Sequence, residues 1–110
     1  MTSVNLTHLS CLRTEDSEED EVYIKVNGSR VWPNSDAVPI SPGHTVTISK
    51  SFHLDQDTMT IELFDEDTEP IDPDDSLGTH TVRASEQGHG QLEAKFNGSG
   101  SQYSLFYTVT

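Results

Sequence analysis

The chain has 110 residues, the length of one domain (residues 1–110) with room for one hydrophobic core. Six basic residues stand against 19 acidic ones, giving a formal net charge of -13. This balance argues against nucleic acid as a partner, since phosphate contacts require Lys and Arg, and against direct binding to anionic membranes. One cysteine, Cys11, excludes an internal disulfide and a multi-cysteine metal site.

No apolar stretch approaches the roughly 18 residues that a membrane-spanning helix needs. The N-terminus shows neither the basic nor the apolar region of a secretory signal peptide. We therefore expect a cytoplasmic protein, with export by another route left open. We also expect it to be a monomer.

Apolar and polar residues alternate along most of the chain, which is the period of half-buried β-strands. Val22, Ile24 and Val26 illustrate the pattern, and turn residues such as Asn27-Gly28 separate the segments. The predicted strands span residues 3–9, 21–27, 30–32, 44–52, 58–64, 77–83, 91–96 and 102–109. Many short strands at this spacing predict an all-β fold, an eight-stranded antiparallel β-sandwich.

The negative charge is concentrated in two windows. Residues 15–21 contain six acids in seven positions, and residues 65–75 contain seven in eleven. The other six acidic residues are balanced by the six basic ones, so the whole net charge lies in these windows.

Strand parity predicts that the two windows meet. If successive strands run alternately up and down, every second connection falls at the same end of the sandwich. The connections expected at this end are residues 10–20, 33–43 and 65–76. Asp36 would join the acidic windows there, while Asp55 and Asp57 would lie at the opposite end.

Carboxylates gathered on one rim repel one another, so the loops must splay apart, take up protons or bind a cation, and a hard divalent cation is the natural partner. A pair at about 6 Å repels by about 3 kcal/mol at an effective dielectric constant of 20. Ca²⁺ fits best because it accepts six to eight oxygen ligands in flexible geometry, whereas Mg²⁺ demands a tight octahedron. Zinc would need His or Cys ligands, and the five histidines are scattered without metal-like spacing.

Three segments carry a resemblance to a known family: Ile61-Glu-Leu-Phe-Asp65-Glu-Asp67 followed by Asp74-Asp75-Ser-Leu77-Gly78, the segment that begins at Asp20, and residues 102–109. Together they resemble the C2 domain, a calcium- and phospholipid-binding β-sandwich. The segment from Ile61 to Gly78 resembles the third calcium loop of that family. The end of the first loop resembles Asp20-Glu-Val-Tyr23-Ile-Lys-Val26, although the family usually has Pro before the Tyr. Residues 102–109 resemble the last strand of the family.

The resemblance implies a set of calcium ligands. These would be Asp16 and Asp20 from the first loop and Asp65, Asp67 and Asp75 from the third, with Asp74 as the alternative to Asp75 and with backbone carbonyls such as that of Glu66. The acidic loops at about 14–21 and 65–76 would bind Ca²⁺ and then dock a phospholipid or protein partner. Lipid docking has less support, because no lysine-rich strand is present and only Ile71 offers an apolar loop tip.

Two functional hypotheses stay open from the sequence. One is this Ca²⁺-binding C2-like module. The other is a metal-independent structural or protein-interaction sandwich whose acidic rim recognises a basic partner. An enzyme is not expected, because no nucleophile–histidine pair accompanies the carboxylates.

Overall fold

The computed structural model describes residues 2–15, 19–66 and 74–110. Within these residues the chain forms nine strands and two short 3₁₀ turns. The strands are β1 (Ser3–Arg13), β2 (Asp20–Val26), β3 (Ser29–Trp32), β4 (Val38–Ile40), β5 (Thr45–His53), β6 (Thr58–Asp65), β7 (Asp75–Arg83), β8 (Leu92–Phe96) and β9 (Gln102–Val109). The turns are Ala84–Glu86 and Gly98–Gly100.

The strands form two antiparallel sheets, as predicted. The first sheet has the order β5-β1-β9-β8, and the second has the order β3-β2-β6-β7 with β4 also paired to β2. Alternate residues of each strand face the space between the sheets, and these side chains form one buried apolar cluster. The fold class is therefore an antiparallel β-sandwich, confirming the prediction from the period of two.

The strand count differs from the prediction of eight. The additional strand, β4, pairs with the first half of β2, while β3 pairs with its second half. It is only three residues long and contains Pro39, which has no N–H to donate. So short a strand with a proline shows no alternation in sequence, which is why the prediction missed it.

The arrangement of β3 and β4 corrects one expectation about the rim. Trp32 pairs with Ile24 and Val38 pairs with Val22, so both strands run in the same direction along one edge of β2. The residues between them, including Asp36, lie beside the middle of β2 rather than at its end. Asp36 therefore does not join the acidic windows.

The chain segments that follow β1 and β6 leave the sandwich at the same end, which we call the acidic end. Asp65, the last residue of β6, pairs with Val22 near the start of β2. The described ends of the two acidic windows thus lie side by side, confirming the parity argument. No helix in the described parts of the chain is both long and apolar enough to cross a membrane.

Candidate metal centre

Two aspartates continue the core-facing register of the second sheet. Asp20 stands two positions before the buried Val22, and Asp65 stands two positions after the buried Leu63. Because side chains two residues apart share a face, both carboxylates point toward the space between the sheets. Asp20 is 0% exposed and Asp65 is 3% exposed. The outermost layer of the core at the acidic end therefore contains carboxyl groups instead of apolar side chains.

A third carboxylate comes from the connection after β1. One oxygen each from Glu15, Asp20 and Asp65 lie within 4.8 Å of one another. We call these three residues the carboxylate cluster. Glu15 is half-buried, and the two aspartates are buried.

Backbone amides hold the buried aspartates. The Glu15 N–H donates to Asp20 Oδ2 at 2.9 Å, and the Glu21 N–H donates to Asp65 Oδ1 at 2.8 Å. In addition, the Glu66 N–H donates to the Glu21 carbonyl at 2.7 Å, tying the end of β6 to the start of β2. Both acidic windows thus contribute a buried aspartate and at least one backbone N–H donor. The donors of the first window hold the aspartates, and the donor of the second window holds the backbone of the first.

The first sheet covers the cluster with a tyrosine and a cysteine. The Tyr103 hydroxyl, from the first core-facing position of β9, donates to Asp20 Oδ2 at 2.6 Å. Burial, and secondarily the hydrogen bond to Asp20, raise the pKa of Tyr103 well above its ordinary value of 10.0. Burial also raises the pKa of the Cys11 thiol. Both groups are therefore neutral near pH 7, and Tyr103 acts as a hydrogen-bond donor.

The cluster is electrostatically costly when its three carboxylates are all ionised. Two ionised carboxylates 4.8 Å apart repel by about 3 kcal/mol at an effective dielectric constant of 20. The three pairs together approach the whole folding free energy of a small domain, about 5–15 kcal/mol. The donor set consists of hard carboxylate oxygens, which suit a hard divalent cation such as Ca²⁺.

The structure brings together some of the residues predicted from the sequence. Asp20 and Asp65 meet in the carboxylate cluster. Asp75 pairs directly with Asp65 across β6 and β7, so it lies at the same end. Asp16 and Asp67 fall outside the described residues.

Asp74 has a different environment. Its Oδ2 accepts a hydrogen bond from the Tyr23 hydroxyl. Tyr23 stacks on Phe64 with ring centroids 5.3 Å apart. The residues before and after each of them in the strand face the core, so the two rings lie on the outer face of the second sheet. Asp74 thus contacts the outer face, whereas Asp20 and Asp65 face the core.

Glu15 was not among the ligands predicted from the sequence, because only aspartates match the family pattern, although Glu15 begins the first acidic window. The burial of Asp20 and Asp65 was not predicted either. The signal was available, because both residues are in phase with the apolar alternation of their strands.

Comparisons with known proteins bear on the fold. Neither a protein-family model nor a curated protein sequence matches this chain. Solved structures do match. A structure of a C2 domain matches over 100% of this chain and 99% of that chain, at 18% identity and a TM-score of 0.53.

Two larger proteins contain a similar region. A structure of human GIVD cytosolic phospholipase A2 matches over 98% of this chain, at 17% identity and a TM-score of 0.58. A structure of two C2 domains of extended synaptotagmin 2 matches over 98% of this chain, at 19% identity and a TM-score of 0.53. The chain spans only 16% of the phospholipase chain and 39% of the synaptotagmin chain. These likenesses establish a C2-like fold over nearly the whole chain.

Proposed function

We propose that this chain is a calcium-binding C2-like module and that Glu15, Asp20 and Asp65 face the ion. The observation that carries the proposal is the convergence of three carboxylate oxygens within 4.8 Å, two of them on buried side chains. Buried like charges persist in native proteins when a cation or a proton compensates them. The C2-like fold supports the same conclusion.

Calcium suits this donor set better than other common metals. Ca²⁺ takes six to eight oxygens at flexible angles, including carboxylates, carbonyls and water. The carboxylate cluster supplies part of such a shell. We propose that Asp16, Asp67 and Asp75 contribute further oxygens, with Asp74 as the alternative to Asp75, and that the Glu66 carbonyl completes the shell.

Bound calcium would neutralise part of the negative charge at the acidic end, and a phospholipid or a protein could then bind there. Two bound ions would change the net charge from -13 to about -9. A chain that is still this acidic is repelled by anionic lipids. We therefore propose a protein or a zwitterionic lipid surface as the partner, and sedimentation with phosphatidylcholine vesicles, with and without calcium, tests the lipid case.

Calorimetric titration with calcium tests the metal site. The informative variant is Asp65→Asn, which removes one charge but keeps the volume and an oxygen that can accept the Glu21 N–H. The matched control is Asp55→Asn, an exposed aspartate in the turn between β5 and β6. We expect wild type and D55N to bind calcium equally, and D65N to lose at least about ten-fold in affinity.

Two results would contradict the proposal. One is the absence of calcium binding at millimolar concentration by the wild-type protein. The other is equal affinity in wild type and D65N, which would place any bound ion away from the cluster. The first result would leave the metal-independent interaction module as the better hypothesis.

A further inference from the structure

We infer that Tyr103 is a positioning residue of the calcium site, because its hydroxyl fixes the orientation of the Asp20 carboxylate. This inference rests on the function proposed above. Tyr103 belongs to the first sheet. Asp20 and Asp65 belong to the second sheet, and Glu15 lies between the two sheets in the chain, after β1.

The contacts on Asp20 carry the argument. Oδ2 of this fully buried side chain accepts two hydrogen bonds, from the Tyr103 hydroxyl at 2.6 Å and from the Glu15 N–H at 2.9 Å. Donors from two directions restrict rotation of the carboxylate about its Cβ–Cγ bond. Tyr103 is itself only 2% exposed, so packing limits the positions that its hydroxyl can take.

Asp20 also connects the tyrosine to Glu15. The oxygen that receives the Tyr103 hydroxyl receives the backbone N–H of Glu15, whose own carboxylate belongs to the cluster. A group that holds Asp20 therefore also helps to place Glu15. Partners that orient metal ligands in this way commonly contribute about 10–100-fold to metal affinity.

The chain provides a closely matched control. Tyr107 lies on the same strand, is 1% exposed, and donates its hydroxyl to Glu86 Oε2 at 2.8 Å. Both tyrosines thus bury a ring and donate to a carboxylate. They differ in that Glu86 lies in the turn after β7, at the end of the sandwich opposite the carboxylate cluster.

The experiment compares the calcium affinity and the calcium-free melting temperature of wild type, Tyr103→Phe and Tyr107→Phe. We expect both variants to melt below wild type, because each loses a hydrogen bond to a carboxylate. Only Y103F should also bind calcium more weakly, with a dissociation constant about ten-fold higher or more. Equal calcium affinity in Y103F and wild type would overturn the inference while leaving the proposed function intact. No binding by wild type would overturn both.

A spectroscopic measurement covers the case in which Y103F does not fold. The protein is labelled with carbon-13 at tyrosine Cζ, which reports the hydrogen bond of the hydroxyl, and the three tyrosine signals are assigned by elimination with Y23F and Y107F. Calcium binding to Asp20 should weaken that oxygen as an acceptor and shift the Tyr103 signal. A Tyr103 signal that stays unchanged while calcium binds would overturn the inference.

Discussion

Strand β9 carries two tyrosines that each donate a hydrogen bond to a carboxylate, one toward each end of the strand. At the acidic end Tyr103 donates to Asp20 at 2.6 Å, and at the other end Tyr107 donates to Glu86 at 2.8 Å. In both pairs the ring is buried in the core. Judged by this hydrogen bond alone, the two sites are equivalent.

Their surroundings differ in charge. Asp20 lies among carboxylates, with oxygens of Glu15 and Asp65 within 4.8 Å. Glu86 instead accepts the backbone N–H of Arg83 at 2.8 Å, and its tyrosine partner lies 3.1 Å from His80 Nε2. The Glu86 site is thus surrounded by donors and is structural in character. The comparison teaches that converging like charges, rather than a well-bonded carboxylate, mark the candidate functional site.

The largest expected effect is on thermal stability. Removing the charge of Asp65 at the acidic end should stabilise the protein, whereas removing the charge of Glu86 at the opposite end should destabilise it. Without calcium, Asp65→Asn removes its repulsion with both Glu15 and Asp20, about 3 kcal/mol for each pair, so it should raise the melting temperature by at least about 10 °C. Glu86→Gln removes a charge that accepts two hydrogen bonds, so it should lower the melting temperature by a few degrees. Thermal melts in EGTA measure both. A lower melting temperature for D65N would contradict the assigned repulsion.

A smaller effect on folding stability should come from His80 as the pH falls. Burial lowers the pKa of His80 below its ordinary value of 6.5, and the charge of Glu86 partly opposes this shift. The folded state therefore binds fewer protons than the unfolded state near that pH, so stability should fall as the pH drops through 6.5.

Denaturant unfolding between about pH 7.5 and about pH 5.5 measures this dependence. The unfolding free energy should change less steeply with pH in His80→Gln, which lacks the titrating group. It should change more steeply in E86Q, which loses the charge that raises the His80 pKa. Identical slopes in wild type and H80Q would show that His80 does not contribute.

The smallest expected effect is at Asp55, an exposed carboxylate at the end opposite the cluster. Asp55→Asn should change the stability by less than about 0.5 kcal/mol, because isolated surface substitutions rarely exceed that amount. Urea unfolding with and without calcium checks this. A stabilisation as large as that of D65N would mean that net charge, rather than local convergence, destabilises the chain.

Much of the fold was predictable because β-alternation is a local property. The period of two identified eight of the nine strands in the described residues, and parity placed the described ends of both acidic windows at one end. The segment containing Pro39 escaped because it is short and its pairing depends on β2. Which tyrosine reaches Asp20 was not predictable, since it depends on how the two sheets pack and on the register shift between Cys11 and Arg13 where β1 pairs with β9.

The same limit applies to the candidate site. The acidic composition of residues 15–21 was visible, but the sequence does not show which of the neighbouring acids meet. Glu15 and Asp20 meet through a backbone hydrogen bond that leaves no mark in the sequence. The residue types therefore predict an acidic site, and the packing decides which residues form it.

The most direct test of the calcium site is a thermal melt of the wild-type protein in calcium, in magnesium and in EGTA. Calcium at about 100 times its dissociation constant should add about 2.7 kcal/mol of stability, a rise of about 10 °C. Magnesium should give a much smaller rise. The same melting temperature in calcium and in EGTA would contradict the account, because neutralising the carboxylate cluster must stabilise the folded state.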